Sequence, residues 1–220
     1  MVQLIFTKSQ SPKKRGKNFV WLSLIVLVFI SQVLFLGCSQ RLKVLVLPFE
    51  NQTQLPEDEW LRDAFSEALT DHLLYAKKPE LISRLSLNQA CVENRKSPYI
   101  KFTSAAAAED LGKLVGADRV IYGAFQKRGN DLVTFSRMVN TANGEILHEF
   151  RLRNETPNNF LFFTQVQDTA ASLLPPLKIS KSDLDSTRSK MEKAKLRTRD
   201  FKAFELFIRG KIAFFQQYHI

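Results

Sequence analysis

Three stretches with the residue content of strands follow one another closely in this chain: Arg119 to Phe125, Leu132 to Asn140 and Glu145 to Leu152. Gly129-Asn130 and Asn143-Gly144 stand at the two joints, and Asn-Gly supplies the positive φ angles of a tight hairpin turn. Segments joined so briefly pair antiparallel, because a parallel pair needs a long crossover. The expectation is a three-strand meander, and the rest of the folded chain has to cover it.

The segments before the meander alternate strand and helix. Leu42 to Leu47 is aliphatic and closes at Pro48, which reads as a buried strand running into a loop. Pro56 opens a helix whose first turn holds Glu57, Asp58 and Glu59, acids suited to the positive helix end. Leu61, Phe65, Ala68, Leu69 and Leu73 give that helix an apolar face, while the acids between 57 and 71 read as a solvated face. Leu81 to Leu85 is read as a second strand. Ser104 is placed to cap an alanine-rich helix with Ala107, Leu111, Leu114 and Val115 on one face and Gly116 at its end. After the meander, Phe163, Val166, Ala170 and Leu173 share a face of a helix that stops at Pro175-Pro176. The fold class is α/β: a mixed sheet with an antiparallel three-strand meander and covering helices, plus a C-terminal helix.

The chain has 220 residues and a formal charge of +10, but that charge is not on the expected domain. Residues 1–37 carry five cations and no acid, residues 38–177 hold 16 basic and 17 acidic side chains, and residues 178–220 hold 11 and 5. The body is near neutral, without the basic stripe that binding to nucleic acid requires. Two cysteines and three histidines exclude a disulfide scaffold and a four-cysteine zinc site.

The N-terminus reads as an export signal. Lys13-Lys14-Arg15-Gly16-Lys17 precedes an apolar run from Phe19 to Ile30, then Val33 to Leu36, ending at Gly37-Cys38. A basic flank before an apolar core is the secretory pattern. Phe35-Leu36-Gly37-Cys38 resembles the bacterial lipobox, which implies that Cys38 is acylated and becomes the mature N-terminus; Phe35 stands where that motif has Leu. An uncleaved signal anchor is the competing reading, since the run approaches the length of a bilayer-spanning helix. Both readings put the domain outside the inner membrane. Ser39 after the cysteine favours the outer membrane, by resemblance to sorting rules in Gram-negative lipoproteins. With Cys38 acylated, Cys91 reads as a small buried apolar residue rather than a reactive thiol.

Five motifs in order carry a family resemblance: Val46 to Asn51, Pro56 to Leu61, Leu81 to Arg84, Gly116 to Gly123 and Thr141 to Leu147. Together they resemble the TolB-like N-terminal domain, which has an anticodon-binding-like fold and often precedes tetratricopeptide repeats. The resemblance spans about residues 42–177 and implies a binding or assembly module with no catalytic residues. The motif residues have structural explanations as well: Pro48 and Gly123 shape turns, and Arg84 pairs with an acid at a strand end. The loop Phe49-Glu50-Asn51 lies just past a strand end, where α/β sheets often bind ligands, and is the expected loop site.

A search for catalysis is empty: there is no Gly-rich phosphate loop, no H-E-x-x-H and no G-x-S-x-G. His72 reads as a satisfied surface or boundary histidine. No catalytic residue, metal site or cofactor is expected.

The domain limits follow: a signal peptide with lipobox at 1–37, the α/β domain at 38–177, a basic linker or solvated helix at 178–200 and an amphipathic helix at 201–220. On that last helix Phe201, Phe204, Ile208, Ile212 and Phe215 recur at helical spacing. Phe204 to Gly210 resembles the helix that opens a tetratricopeptide array after TolB-like domains, and fewer than three repeats rarely fold alone. Three dispositions of this face are open: packing back or self-association, docking an envelope protein partner, and lying on a membrane. The function expected is a non-enzymatic envelope lipoprotein, anchored to the membrane through Cys38, mediating protein–protein interaction or assembly, with homo-oligomers among the forms it can take. The alternative is a sensory module that binds a small ligand at the 49–51 loop.

Overall fold

The computed structural model describes residues 41–128, 131–154, 159–193 and 200–217. All belong to one compact unit, Arg41–Ile220; residues 1–40 lie outside the described residues.

The sheet runs in the order β3-β1-β4-β5-β6, from Glu80–Leu81 (β3) through Lys43–Val46 (β1), Arg119–Arg128 (β4) and Asp131–Asn140 (β5) to Ile146–Asn154 (β6). A two-residue strand, Glu50–Asn51 (β2), pairs with β4 beyond β1. β1 is parallel to β3 and β4, whereas β4, β5 and β6 are antiparallel, which makes the sheet mixed. Pro48 has no amide hydrogen to donate, so the ladder along β4 breaks between β1 and β2. Leu47 N still donates to Ile121 O at 2.8 Å, but Phe49 N turns to Arg62 O at 3.1 Å. That bend carries the Phe49 ring under the helix Leu61–Leu73 (α1), where it stacks on Phe65 at 5.3 Å. Gly123 makes room for it, since a Cβ there would meet Phe135 O and Phe49 Cε1.

The antiparallel meander forms, with differences at its second joint. Only Gly144 of the Asn143-Gly144 pair has positive φ, +70°. The connection is wider than a two-residue turn: Gly144 N donates to Asn140 O at 2.8 Å and Asn140 N to Glu145 O at 2.9 Å. A bulge between Met138 and Val139 absorbs the extra residue in the register of β5 against β6. Gly129-Asn130, at the first joint, lies outside the described residues.

Leu81 to Leu85 is not a strand. Pairing ends at Leu81, and Ser83 caps a helix, Arg84–Glu93 (α2), by accepting a hydrogen bond from Ser86 N at 3.0 Å. A short side chain that bonds its own downstream amide competes with strand pairing. Ser104 caps Ala105–Leu114 (α3) through Ala107 N at 3.3 Å, and Gly116 follows with φ +67°. The buried face of α3 is Ala108, Leu111 and Gly112, one step round from the face expected.

Side chains alternate across the sheet and so build two layers. Val44, Val46, Ile121, Phe125 and Met138 join the core under α1, the helix Asn159–Leu173 (α4) and the helix Phe201–Gln217 (α6). Leu45, Leu47, Val120, Tyr122 and Val139 face Leu87 and Cys91 of α2 and Ala108 and Leu111 of α3. A further helix, Lys181–Lys193 (α5), lies within the stretch read as a linker or solvated helix. Its Thr187 and Met191 are buried, Met191 in the first of these layers.

Candidate functional site

The α6 face, for which the sequence left packing back, partner docking and membrane contact open, lies against the chain itself. Phe204 and Ile208 are buried, 8% and 0% exposed. Phe201 meets Trp60 edge-on at 5.2 Å, and Phe204 lies 5.7 Å from Phe162 and 5.4 Å from Phe163. Lys211 pairs with Glu67 at 2.6 Å. Ile212 and Phe215 reach the rim of a cavity described below. What α6 turns outward is a second set of apolar residues, Leu206, Phe207 and Phe214, 61%, 43% and 52% exposed. The spacing of the inner face masked this outer one in the sequence.

The side chains of the loop Phe49-Glu50-Asn51 are engaged within the fold. Phe49 is buried against Phe65. Glu50 Oε2 accepts from Phe102 N and from Gln52 Nε2, both at 2.9 Å. Asn51 donates from Nδ2 to Leu55 O at 3.1 Å and to Glu59 Oε1 at 2.9 Å, and its Oδ1 accepts from Thr53 N at 2.9 Å. Cys38 lies outside the described residues.

A polar cluster assembles where α1, the start of α2 and the 95–99 turn meet α6. The acids between 57 and 71 are not one solvated face: Asp58, in the short turn Pro56–Asp58 before α1, and Asp63 are buried, 7% and 9% exposed. Lys127 Nζ lies 2.8 Å from Asp58 Oδ1. Arg84 Nη2 lies 2.8 Å from Asp63 Oδ1, at the opening residue of α2 rather than at a strand end. Tyr99 donates from its hydroxyl to Asp63 Oδ2 at 3.2 Å. The Arg62 guanidinium sits 4.3 Å above the Tyr99 ring and that of Arg84 5.3 Å from it. Arg95, at φ +53°, turns the chain after α2 and delivers Tyr99 to this place. Burial raises the Asp63 carboxyl above its ordinary value, against the opposing pull of Arg84. Burial also raises the Tyr99 hydroxyl, and Asp63 adds to it.

Beside the cluster is a cavity of about 300 Å³ lined by Asp63, Arg84, Asn88, Tyr99, Ile212 and Phe215 among others. Arg84 Nε and Nη1 and Asn88 Oδ1 are buried with no hydrogen-bond partner. These three atoms are sealed from solvent, behind the cavity wall rather than open to it. Cys91 lines the same cavity; it is buried, and burial raises its thiol above the ordinary range, which keeps it protonated. His72 is a core residue, 2% exposed, with Nδ1–H donating to Ala68 O at 2.8 Å. A boundary position was expected, but the residue sits between Leu69 and Leu73 on the covered side of α1. Among the described residues, no group of three or more His, Cys, Asp or Glu is gathered to hold a metal ion.

Several solved structures are partly similar to this chain. The C-terminal domain of LpoB from Salmonella enterica is 21% identical, with 55% of this chain and 87% of that one covered and a TM-score of 0.45. Lipoprotein GNA1162 from Neisseria meningitidis is 17% identical over 58% of this chain and 92% of that one, with a TM-score of 0.41. TolB from Acinetobacter baumannii is 10% identical over 63% and 29%, with a TM-score of 0.42. No protein-family model matches the chain, and no curated protein matches it. Among the described residues, no helix is long and apolar enough to cross a membrane.

Proposed function

We propose that this protein is a non-enzymatic lipoprotein of the bacterial cell envelope, held to a membrane through acylated Cys38, whose α/β domain docks other envelope proteins. The basic flank, the apolar core and Gly37-Cys38 support export and lipid attachment. The observation that carries the docking role is the outward side of α6. Leu206 and Phe207 are exposed on a helix whose other side is locked into the core, so the apolar surface is held rigidly in place. Adjacent exposed apolar side chains of this size mark interaction surfaces. The likeness of Phe204 to Gly210 to the first helix of a tetratricopeptide array gives the same side a matching role, as the seat of a neighbouring helix.

Photo-crosslinkable residues at 206 and 207, with a control at exposed Lys181, test this in living cells. Adducts with another envelope protein at the first two positions and none at 181 are expected. An equal yield at all three positions, or none, overturns the docking role. Separately, Cys38→Ala is expected to abolish palmitate labelling and the mass change of maturation; unchanged labelling overturns the anchor.

A further inference from the structure

We propose that the outer edge of β6 pairs with β6 of a second copy of this chain, antiparallel, about a two-fold axis at Phe150. The two ends of the sheet are unlike. At one, β3 is two residues long and offers little backbone to another strand. At the other, β6 runs nine residues, and among the described residues no strand pairs with its far side. Such a strand spends about half of its amides and carbonyls on β5, and the rest point outward as a template for pairing. The side chains agree. From Ile146 to Arg153 none is fully buried, whereas most of β5 beside them is.

Charge on an edge ordinarily keeps copies apart, but the charges on β6 are self-complementary. Glu149 and Arg151 stand two residues apart and so share one face of the strand. Glu149 Oε2 accepts from Arg137 Nε across the β5–β6 pair at 2.6 Å. Arg151 lies 5.3 Å from the Phe135 ring, and among the described residues no acid pairs with it. Pairing about Phe150 sets Arg151 opposite Glu149 of the second copy, and the reverse. Each side of the axis then carries a ladder from Arg137 to Glu149 to the second copy's Arg151. Neighbouring registers lose this: an axis at Glu149 opposes two acids and an axis at Arg151 two guanidiniums, and like charges directly opposite destabilise a strand pair. On the other face Phe150 meets its own copy, flanked by the His148 ring that stacks on it at 6.4 Å. The interface is isologous and closes on itself, leaving only the two-residue β3 strands as ends of one continuous sheet. It shares no residue with the outward side of α6, so it stands or falls apart from the docking role.

The test is sedimentation equilibrium of the full chain in density-matched detergent. Wild type is expected to be a reversible dimer. Arg151→Glu leaves the Arg137–Glu149 pair in place and sets acid against acid across the axis; Glu149→Arg sets cation against cation. Each is expected to weaken the dimer about tenfold or more. Mixing the two variants is expected to restore it, since one presents two acids and the other two cations. The register is read separately by mild oxidation, with wild type as the background for Cys38 and Cys91. Phe150→Cys faces itself at about 5 Å and is expected to give a covalent dimer. Arg153→Cys, about 20 Å from its own copy in this register, is not, and this comparison decides alone if Glu149→Arg does not fold. A monomeric wild type, a dimer indifferent to Arg151→Glu, no restoration by the folded variants, or equal crosslinking at 150 and 153 overturns the proposal. So does a cysteine at 150 that links, in cell extract, only to a different protein, which would assign the edge to a foreign strand.

Discussion

The two faces of the sheet are covered in different ways. On one, Phe49, Phe65, Phe125, Phe162, Phe163 and Phe204 form a continuous aromatic layer, with ring centroids from 4.7 Å (Phe65 to Phe162) to 5.7 Å (Phe162 to Phe204) apart. On the other, α2 and α3 approach through Leu87, Cys91, Ala108 and Leu111. There Gly112 lets α3 come so near that a Cβ would meet Thr141 Cγ2 and Val120 Cγ2. The thick layer gains its stability from large side chains brought in by elements late in the chain, and the thin one from close approach of backbone. One is hurt by deletion and the other by addition.

The largest effect is expected where the thick layer closes. Ile208→Asp places a carboxylate at a position 0% exposed and should cost about 4 kcal/mol or more, read as a lower urea midpoint. A midpoint equal to wild type would mean that α6 can leave the core without consequence. Addition on the thin side comes next. Gly112→Ala should cost about 1–3 kcal/mol despite the better helix propensity of Ala. Thr141→Ser in the same chain should restore much of it, because it deletes the obstructing Cγ2 and keeps the hydroxyl. Failure of that rescue would place the strain elsewhere.

A third expectation asks how dry α1 is at His72, whose imidazole is held below its usual pKa by burial, partly offset by its bond to Ala68 O. Well above the ordinary imidazole value of about 6.5 the ring is neutral folded and unfolded and adds no pH dependence. As the pH falls through that value the unfolded chain takes up the proton first, so stability drops, by at most about 1.4 kcal/mol per pH unit for this group. His72→Gln should flatten that part of the stability–pH curve; an unaltered slope would assign it to other groups. The smallest effect is expected outside both layers. Leu206→Gln or Phe207→Ser should change stability by about 0.5 kcal/mol or less, while each weakens the crosslink formed from a photo-crosslinkable residue at the other of the two positions. A large loss of stability would mean that these side chains serve the fold.

The parts of this fold legible in the sequence are those governed by local chemistry. Ser104 and Gly116 bracket α3 because a hydroxyl cap and a positive φ are local requirements. The meander was legible because alternation survives on β5, where buried and half-buried positions interleave. The segment after Leu81 misled because its aliphatic residues have strand character while Ser83, its helix cap, is a single polar residue among them. Asp63 was read as solvated because it stands one helical turn from Glu59 and from Glu67, whereas its environment is set by Arg84 and Tyr99 from other elements. The cavity was illegible for the same reason: Arg84, Asn88, Tyr99 and Phe215 come from three separate segments, and nothing in their spacing announces that they meet. The tail's apolar periodicity was plain, but what it lay against depends on Phe162 and Phe163, far from it in the chain.

Val44 and Val46 share a core with Phe204 and Ile208, so the first strand of the domain and its last helix complete each other. Partners so distant in sequence make folding slow and leave apolar surface uncovered until both have been made. This core therefore cannot close until residue 208 has been synthesised. For a chain exported as proposed, that late closure would keep the polypeptide loose while it is threaded.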